Sequence, residues 1–227
     1  KDKRSKLFNH SLELNSIYFR YSKEENYILK DFNLKLKKGE FLAIMGASGS
    51  GKTSILDLIM GLIIPEKGTI KIDEDFIFKD GKYKNLNNWQ YSISHVPQNV
   101  YLLDNSIREN IIYNSHGNFS KKDISRRLDE VCEIVCLKEL ISKLPKGYDE
   151  IVGERGSLFS GGQIQRIGIA RALFNKNPII ILDEATNALD ASLEKKLLVN
   201  IKENCKESSL IMITHRKDSA LICDKII

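Results

Sequence analysis

The stretch Gly46-Ala47-Ser48-Gly49-Ser50-Gly51-Lys52-Thr53 limits this chain more than any other, because it fills every fixed position of G-x-x-x-x-G-K-[ST]. Its flanks have different periods. Residues 40–45 read as a buried strand, and residues 54–62, opened by Ser54, as a helix with apolar side chains at three- and four-residue spacing. Strand, glycine loop and helix in that order turn loop amides and the positive end of a helix dipole onto one phosphate group. Lys52 is then placed for the β and γ phosphates of a nucleotide, and the Thr53 hydroxyl for Mg²⁺.

Around this unit the chain alternates strands with helices, which implies a mostly parallel sheet. Leu12, Leu14, Ile17, Phe19 and Tyr21 suggest an edge strand, and Leu29, Phe32, Leu34 and Leu36 a second strand ending at Lys37-Lys38-Gly39-Glu40. Pro65-Glu66-Lys67-Gly68 is expected to close the helix after the loop, and residues 69–73 to resume a strand. Residues 74–90 read as a hairpin or insertion with Gly81 at a turn. A short strand ends at Pro97-Gln98, and residues 104–144 are mostly helical in pattern, with a polar break over 114–119 and Ser120 as cap of the helix that follows. Residues 145–163 read as a glycine-bearing loop. A helix over 164–175, a strand over 179–182, a helix over 192–203 and a strand over 210–214 complete the pattern. The fold expected is α/β, with a P-loop NTPase core and an inserted α-helical subdomain, to which the family resemblance described below adds an N-terminal antiparallel β subdomain. The core with its β subdomain takes 1–97 and 175–227, and the helical part 98–174.

Composition narrows the function by exclusion. At 227 residues, 42% hydrophobic and 29% charged, the chain has the profile of a globular domain with a sizeable core. Its net charge of +5 comes from Lys and Arg interleaved with Asp and Glu, which reads as solvated surface and not as a nucleic-acid groove. Cys132, Cys136, Cys205 and Cys223 form no CxxC pair, and Cys132 and Cys136 fall one turn apart on an expected amphipathic helix, so they read as reduced packing residues in a cytosolic compartment. No apolar run approaches the roughly 20 residues of a membrane span. Lys1-Asp2-Lys3-Arg4 has no apolar stretch behind it and reads as the end of a linker.

Two further elements carry chemistry. Strand 179–182 ends in Asp183 and Glu184, and strand ends beside a phosphate loop are where α/β sheets bind ligands. Asp183 is suited to hold Mg²⁺ through water, and Glu184 to orient and deprotonate an attacking water. Ser160-Gly161-Gly162-Gln163 is a second glycine-rich turn before a helix, suited to a second phosphate contact.

Taken together, the phosphate loop, Gln98, Ser160-Gly161-Gly162-Gln163, Asp183-Glu184, Asn187-Ala188-Leu189-Asp190 and His215 resemble the ATPase domain of ABC transporters over nearly the whole chain. The resemblance implies a head-to-tail dimer, in a homodimer or with a paired nucleotide-binding domain, in which each chain's Ser-Gly-Gly-Gln element closes over ATP on the other's phosphate loop. By the same resemblance Tyr21 would stack on adenine, Gln98 would contact Mg²⁺ and water and sense a transmembrane partner, and Ser160 and Gly162 would meet the partner site's γ phosphate. Asp190 would lie at the dimer seam, while His215 would contact the γ phosphate and hold Glu184. His10, His95 and His116 match no such position.

Val152-Gly153-Glu154-Arg155-Gly156 and Asp104-Asn105-Ser106-Ile107-Arg108-Glu109-Asn110-Ile111 look like exporter elements, the first contacting cytoplasmic loops of the membrane domain. His95-Val96-Pro97-Gln98 and Phe159 faintly resemble flippases of lipid-linked sugars. Phe159 and Ile164 depart from the usual leucine and polar residue, in positions without a phosphate role. The resemblance thus implies an ATP- and Mg²⁺-dependent exporter ATPase at the cytoplasmic face of a membrane, with a membrane domain upstream of Lys1. A soluble ABC-type ATPase acting on nucleic acid or ribosomes is the alternative; the span from Gln98 to Ser160 is too short for a repair-type coiled coil, and only one ATPase unit is present. A separate-chain importer ATPase is disfavoured by Glu154-Arg155-Gly156.

Overall fold

The computed structural model describes residues 5–113, 115 and 120–227. Lys1-Asp2-Lys3-Arg4 and, apart from Ser115, the polar break over 114–119 lie outside the described residues. In chain order the elements are β1 (Ser11–Phe19), β2 (Leu29–Lys37), β3 (Phe41–Ile44), α1 (Lys52–Met60), β4 (Lys67–Ile72), β5 (Asp75–Lys79), β6 (Lys82–Tyr83), α2 (Leu86–Tyr91) and β7 (Ile93–Val96). They continue with α3 (Ile107–Ile112), α4 (Lys121–Ile134), α5 (Lys138–Ser142), α6 (Gly161–Phe174), β8 (Ile179–Asp183), α7 (Ala191–Asn204), β9 (Ser209–Ile213), α8 (Lys217–Ala220) and β10 (Lys225–Ile226).

Two sheets form. One is wholly parallel, in the order β10-β3-β9-β8-β7, and the other antiparallel, in the order β2-β1-β4-β5-β6. The central parallel strands read as continuous apolar runs because both faces are covered. Phe41, Ala43, Ile180, Leu182, Leu210 and Met212 point into a core shared with Leu128, Ile167, Leu173 and Leu197 of the helices. Their neighbours Leu42, Ile44, Ile179, Ile181, Ile211 and Ile213 point the other way, into a core with Ile55, Leu56 and Ile59 of α1, Trp89 of α2, and Leu12, Leu14 and Ile70 of the antiparallel sheet. Strand alternation thus clamps the phosphate-loop helix between two sheets.

Several sequence expectations are corrected. β1 is not an edge strand but pairs with both β2 and β4. Apolar alternation reports a buried face and says nothing of how many neighbours share the hydrogen bonds. A bulge with Ser16 at φ 49° explains the jump from Leu14 to Ile17 in the apolar pattern. Helix α1 ends at Met60, before the expected proline turn, because Gly61 at φ 68° takes the left-handed cap and Leu62 N–H reaches the Asp57 carbonyl at 2.8 Å.

Cys136 does not share a helix with Cys132. It is the left-handed residue that terminates α4, at φ 57°, with Cys136 N–H on Glu133 O at 3.0 Å and Leu137 N–H on Cys132 O at 2.8 Å. Residues 74–90 contain α2 besides the hairpin, and the 145–163 stretch holds two 3-10 turns, Gly147–Asp149 and Glu154–Gly156, with a Ser106–Ile151 bridge.

Finally, α6 begins at Gly161 and not at Ile164, so the second glycine element is the first turn of a helix. Ser160 caps it through a reciprocal pair: Ser160 Oγ accepts from Gln163 N–H at 3.4 Å and Gln163 Oε1 from Ser160 N–H at 2.8 Å. That Ser-x-x-Gln box was visible in the sequence.

Candidate active site

The C-terminal ends of β3, β8 and β9 open toward the start of α1, and there the chain forms a cleft of about 670 Å³. It is lined by Tyr21, Ile28, Ser48, Gly49, Gly51, Lys52, Thr53, Ser54, Gln98, Glu184 and His215. Lys52 is buried, and its Nζ donates to the Gly46 and Ala47 carbonyls at 3.0 and 2.8 Å, so a fixed positive charge sits inside the loop. Ser50 N–H closes the turn on Ala47 O at 3.2 Å. Gly51, at φ 91°, is the residue before α1; a Cβ there would lie 2.7 Å from Ile28 Cγ2. Glycine therefore serves both the backbone angle and the close approach of Ile28.

Tyr21 stands at the other wall, 61% exposed, with its hydroxyl 3.1 Å from Ser54 Oγ and its ring edge-on to Phe19 at 4.9 Å. Ile28 faces the same space and was not singled out from the sequence. Ile28 and the exposed Tyr21 ring give this cleft apolar surface suited to a flat ring.

Glu184 is the centre of the polar wall. It follows β8 with φ 51°, a left-handed angle that costs a non-glycine residue about 1–2 kcal/mol. Three side chains hold it: Asn187 Nδ2 donates to Oε2 at 2.8 Å, Gln98 Nε2 to the same oxygen at 3.2 Å, and His215 Nε2 lies 3.0 Å from Oε1. An ionised carboxylate only accepts, so His215 carries its hydrogen on Nε2 in this contact. Asn187 was named in the sequence only as part of a motif; its grip on Glu184 was not foreseen. Asp183, one residue earlier, ends β8 half-buried. Burial pushes its carboxyl above the ordinary range, and the neighbouring His95 acts in the opposite direction.

The structure does not bring every expected residue into this cleft. Ser160, Gly161, Gly162 and Gln163 are absent from its lining and form the largely exposed start of α6. A Cβ on Gly162 would lie 3.0 Å from the Ala188 carbonyl, so α6 begins packed on the loop that holds Asn187 to Asp190. Gln165 Oε1 also accepts from Ala188 N–H at 2.9 Å. Asp190 caps α7, its carboxylate accepting from Leu193 N–H at 2.9 Å.

Past Gln98, Arg171 was not singled out from the sequence, and Asn110 was named there only as part of a motif, its buried contacts not foreseen. Asn110 is fully buried; its Oδ1 accepts from Leu103 N–H at 2.9 Å and its Nδ2 donates to the Leu103 carbonyl at 3.0 Å. Arg171 of α6 donates to the Asn110 and Tyr101 carbonyls at 2.7 and 3.0 Å. The segment following Gln98 is therefore tied to the helix that Ser160 caps.

The family model described as "ABC transporter" matches residues 29–187. Among curated relatives, the ATP-dependent lipid A-core flippase of Alkalilimnicola ehrlichii is 35% identical over 216 residues, which cover 95% of this chain and 35% of that protein. The leukotoxin translocation ATP-binding protein of Mannheimia glucosida is 40% identical over 214 residues, 93% of this chain and 29% of that protein. A solved bacterial Atm1-family ABC exporter with ATP bound superposes with a TM-score of 0.85 at 30% identity, covering 99% of this chain and 38% of that one. The chain thus spans about a third of the length of these proteins.

Proposed function

The chain belongs to the ABC transporter family, and from that premise we propose that it is the ATP-binding and ATP-hydrolysing unit of an exporter, working as one of a pair at the cytoplasmic face of a membrane. The observation that carries the pairing is the division of the site. Loop, Lys52, Gln98, Glu184 and His215 line one cleft, while Ser160 to Gln163, with Ser160 and Gly161 exposed, form the start of a 14-residue helix outside it. A helix N-terminus offers free amides and a positive dipole end to an anion. A second copy, turned head to tail, would bring that end over the first copy's cleft.

In this reading the loop amides and the buried Lys52 ammonium hold the terminal phosphates, while Tyr21 and Ile28 bound the base. Thr53, Gln98 and Asp183 are the hard oxygen donors that Mg²⁺ takes, so the residues present fit that ion. When bound, Mg²⁺ supplies charge neutralisation on the phosphate oxygens. Glu184 accepts the proton of the attacking water, and Asn187, Gln98 and His215 fix which way the carboxylate faces. Positioning and electrostatics account for most of the catalysis, since phosphoryl transfer needs little covalent help.

Coupling to a membrane domain rests on a groove of about 470 Å³ just past Gln98, lined by Val100, Tyr101, Tyr113 and Arg171 among others. Tyr101 and Tyr113 are exposed there. A cytoplasmic loop seated against them would press on the segment that ends in Gln98 and touches Glu184. Among the described residues no helix is long and apolar enough to cross a membrane, so in this reading the spans belong to a membrane domain beyond these residues.

The pairing is tested by turnover per chain as concentration falls. Specific activity is expected to drop as pairs dissociate; constant activity in a chain that light scattering shows to be single would overturn the proposal.

A further inference from the structure

Resting on the paired reading above, we propose that Arg216, with Glu194 and Thr186, is a positioning node that sets the Asn187 to Asp190 loop for the partner and ties it to the His215 and Glu184 pair.

Glu194 lies on α7 and its side chain is 1% exposed, an environment that a lone carboxylate does not tolerate. Two groups satisfy it. Thr186 Oγ1 donates to Oε1 at 2.6 Å, and the Arg216 guanidinium donates from NH1 to Oε2. The remaining guanidinium capacity goes to backbone: NH1 to the Leu189 carbonyl at 2.9 Å and NH2 to the Asn187 carbonyl at 3.3 Å. Arg216 N–H also reaches Thr214 Oγ1 at 3.1 Å.

The sequence neighbours of these groups are what give the node its reach. Arg216 follows His215, which touches Glu184. Thr186 and Asn187 follow Glu184 on its other side, and Asn187 Nδ2 holds Glu184 Oε2. Leu189 precedes Asp190 and packs beside Gly162 of α6. One guanidinium thus fixes both ends of the loop between the carboxylate that activates water and the residues that would face the partner. A buried ion pair is poor evidence for stability alone, but a fork with several acceptors fixes geometry. A mispaired partner would therefore be felt at Glu184 through Asn187 and His215, without any nucleotide contact of Arg216 itself.

The test uses Arg216→Lys and Arg216→Gln in the whole chain, each alone and combined with Glu184→Gln, which should hold ATP-paired chains. Lysine keeps a charge for Glu194 but cannot fork to two carbonyls. Arg216→Lys is expected to melt with the parent and to bind a fluorescent ATP analogue as a single chain with unchanged affinity. Its ATP-driven pairing, read by light scattering, should weaken about tenfold, the size of one charge-assisted hydrogen bond. Its kcat should fall while KM for ATP in the paired state holds. Full recovery of pairing and kcat by lysine would reduce the node to charge neutralisation and overturn the proposal. Should Arg216→Gln fail to fold, Thr186→Val, which frees Glu194 Oε1 without touching the loop carbonyls, supplies the second variant; parent-like pairing and kcat in both folded variants would overturn it equally. If Glu184→Gln alone does not pair with ATP, the paired reading fails first, and this inference with it.

Discussion

If Glu184 acts as proposed, replacing it with glutamine removes the general base and little else. The side chain keeps its shape, and its amide oxygen can occupy the place of Oε2, where Asn187 and Gln98 donate at 2.8 and 3.2 Å. The new NH₂ then faces His215 Nε2, now 3.0 Å from Oε1, and the imidazole accommodates it by moving its hydrogen to Nδ1. With all three contacts kept, folding stability should change by no more than about 1 kcal/mol. Proton acceptance is lost outright. A positioned general base contributes about 10²–10⁴-fold, so steady-state turnover should fall by that factor, equivalent to about 3–5 kcal/mol of barrier. Phosphate release under saturating ATP and Mg²⁺ measures the loss. Nucleotide titration and thermal melting confirm that binding and fold survive, and light scattering with ATP should find pairs that persist. A folded variant that binds ATP and releases phosphate at the parent rate would refute the assignment of Glu184 as the base.

Three other outcomes follow from particular contacts. Tyr21→Ala should raise KM for ATP by the loss of about 1–3 kcal/mol of stacking and leave kcat near the parent, while Tyr21→Phe, which loses only the 3.1 Å contact to Ser54, should bind nearly as the parent does; equal KM in both variants would remove the base slot. Gly51→Ala forces φ 91° on a residue with a Cβ 2.7 Å from Ile28, so the melting temperature should fall by about 2–4 °C for each of about 1–3 kcal/mol of strain; an unchanged melt would contradict the loop geometry. Burial pushes the Cys132 thiol from 9.0 up to about 12, so the native state holds its proton after the unfolded chain has released it. Stability is therefore full below pH 9 and should decline by about 1.4 kcal/mol per pH unit from there toward pH 12, a slope that Cys132→Ala should reduce in urea melts and that would refute the burial argument if unchanged.

The sequence carried those features whose cause is local. A phosphate loop is a run of residues with one backbone path, so strand β3, the loop and α1 could be read together. The acidic pair was legible because an apolar strand of four residues ended in two carboxylates. The Leu14 to Ile17 jump also encoded the β1 bulge, although its meaning emerges only against β2 and β4. Capping chemistry was present too: Ser160 and Gln163 spelled out a helix start that glycine content concealed.

Features that depend on contacts between distant segments were not legible. Nothing near Asn110 or Arg171 in sequence announces that they hold the segment after Gln98, since apart from their contact with each other their partners are backbone amides and carbonyls, which nearly every residue has. The same is true of Glu194 and Arg216, whose pairing joins α7 to the end of β9. The sequence by itself determined which residues are candidates for the phosphate and proton chemistry, because the identity and spacing of donors limit what each can do. Only the tertiary structure decided which of them share a cleft and which stand apart from it at the start of α6, because that depends on how two cores pack on opposite faces of one parallel sheet.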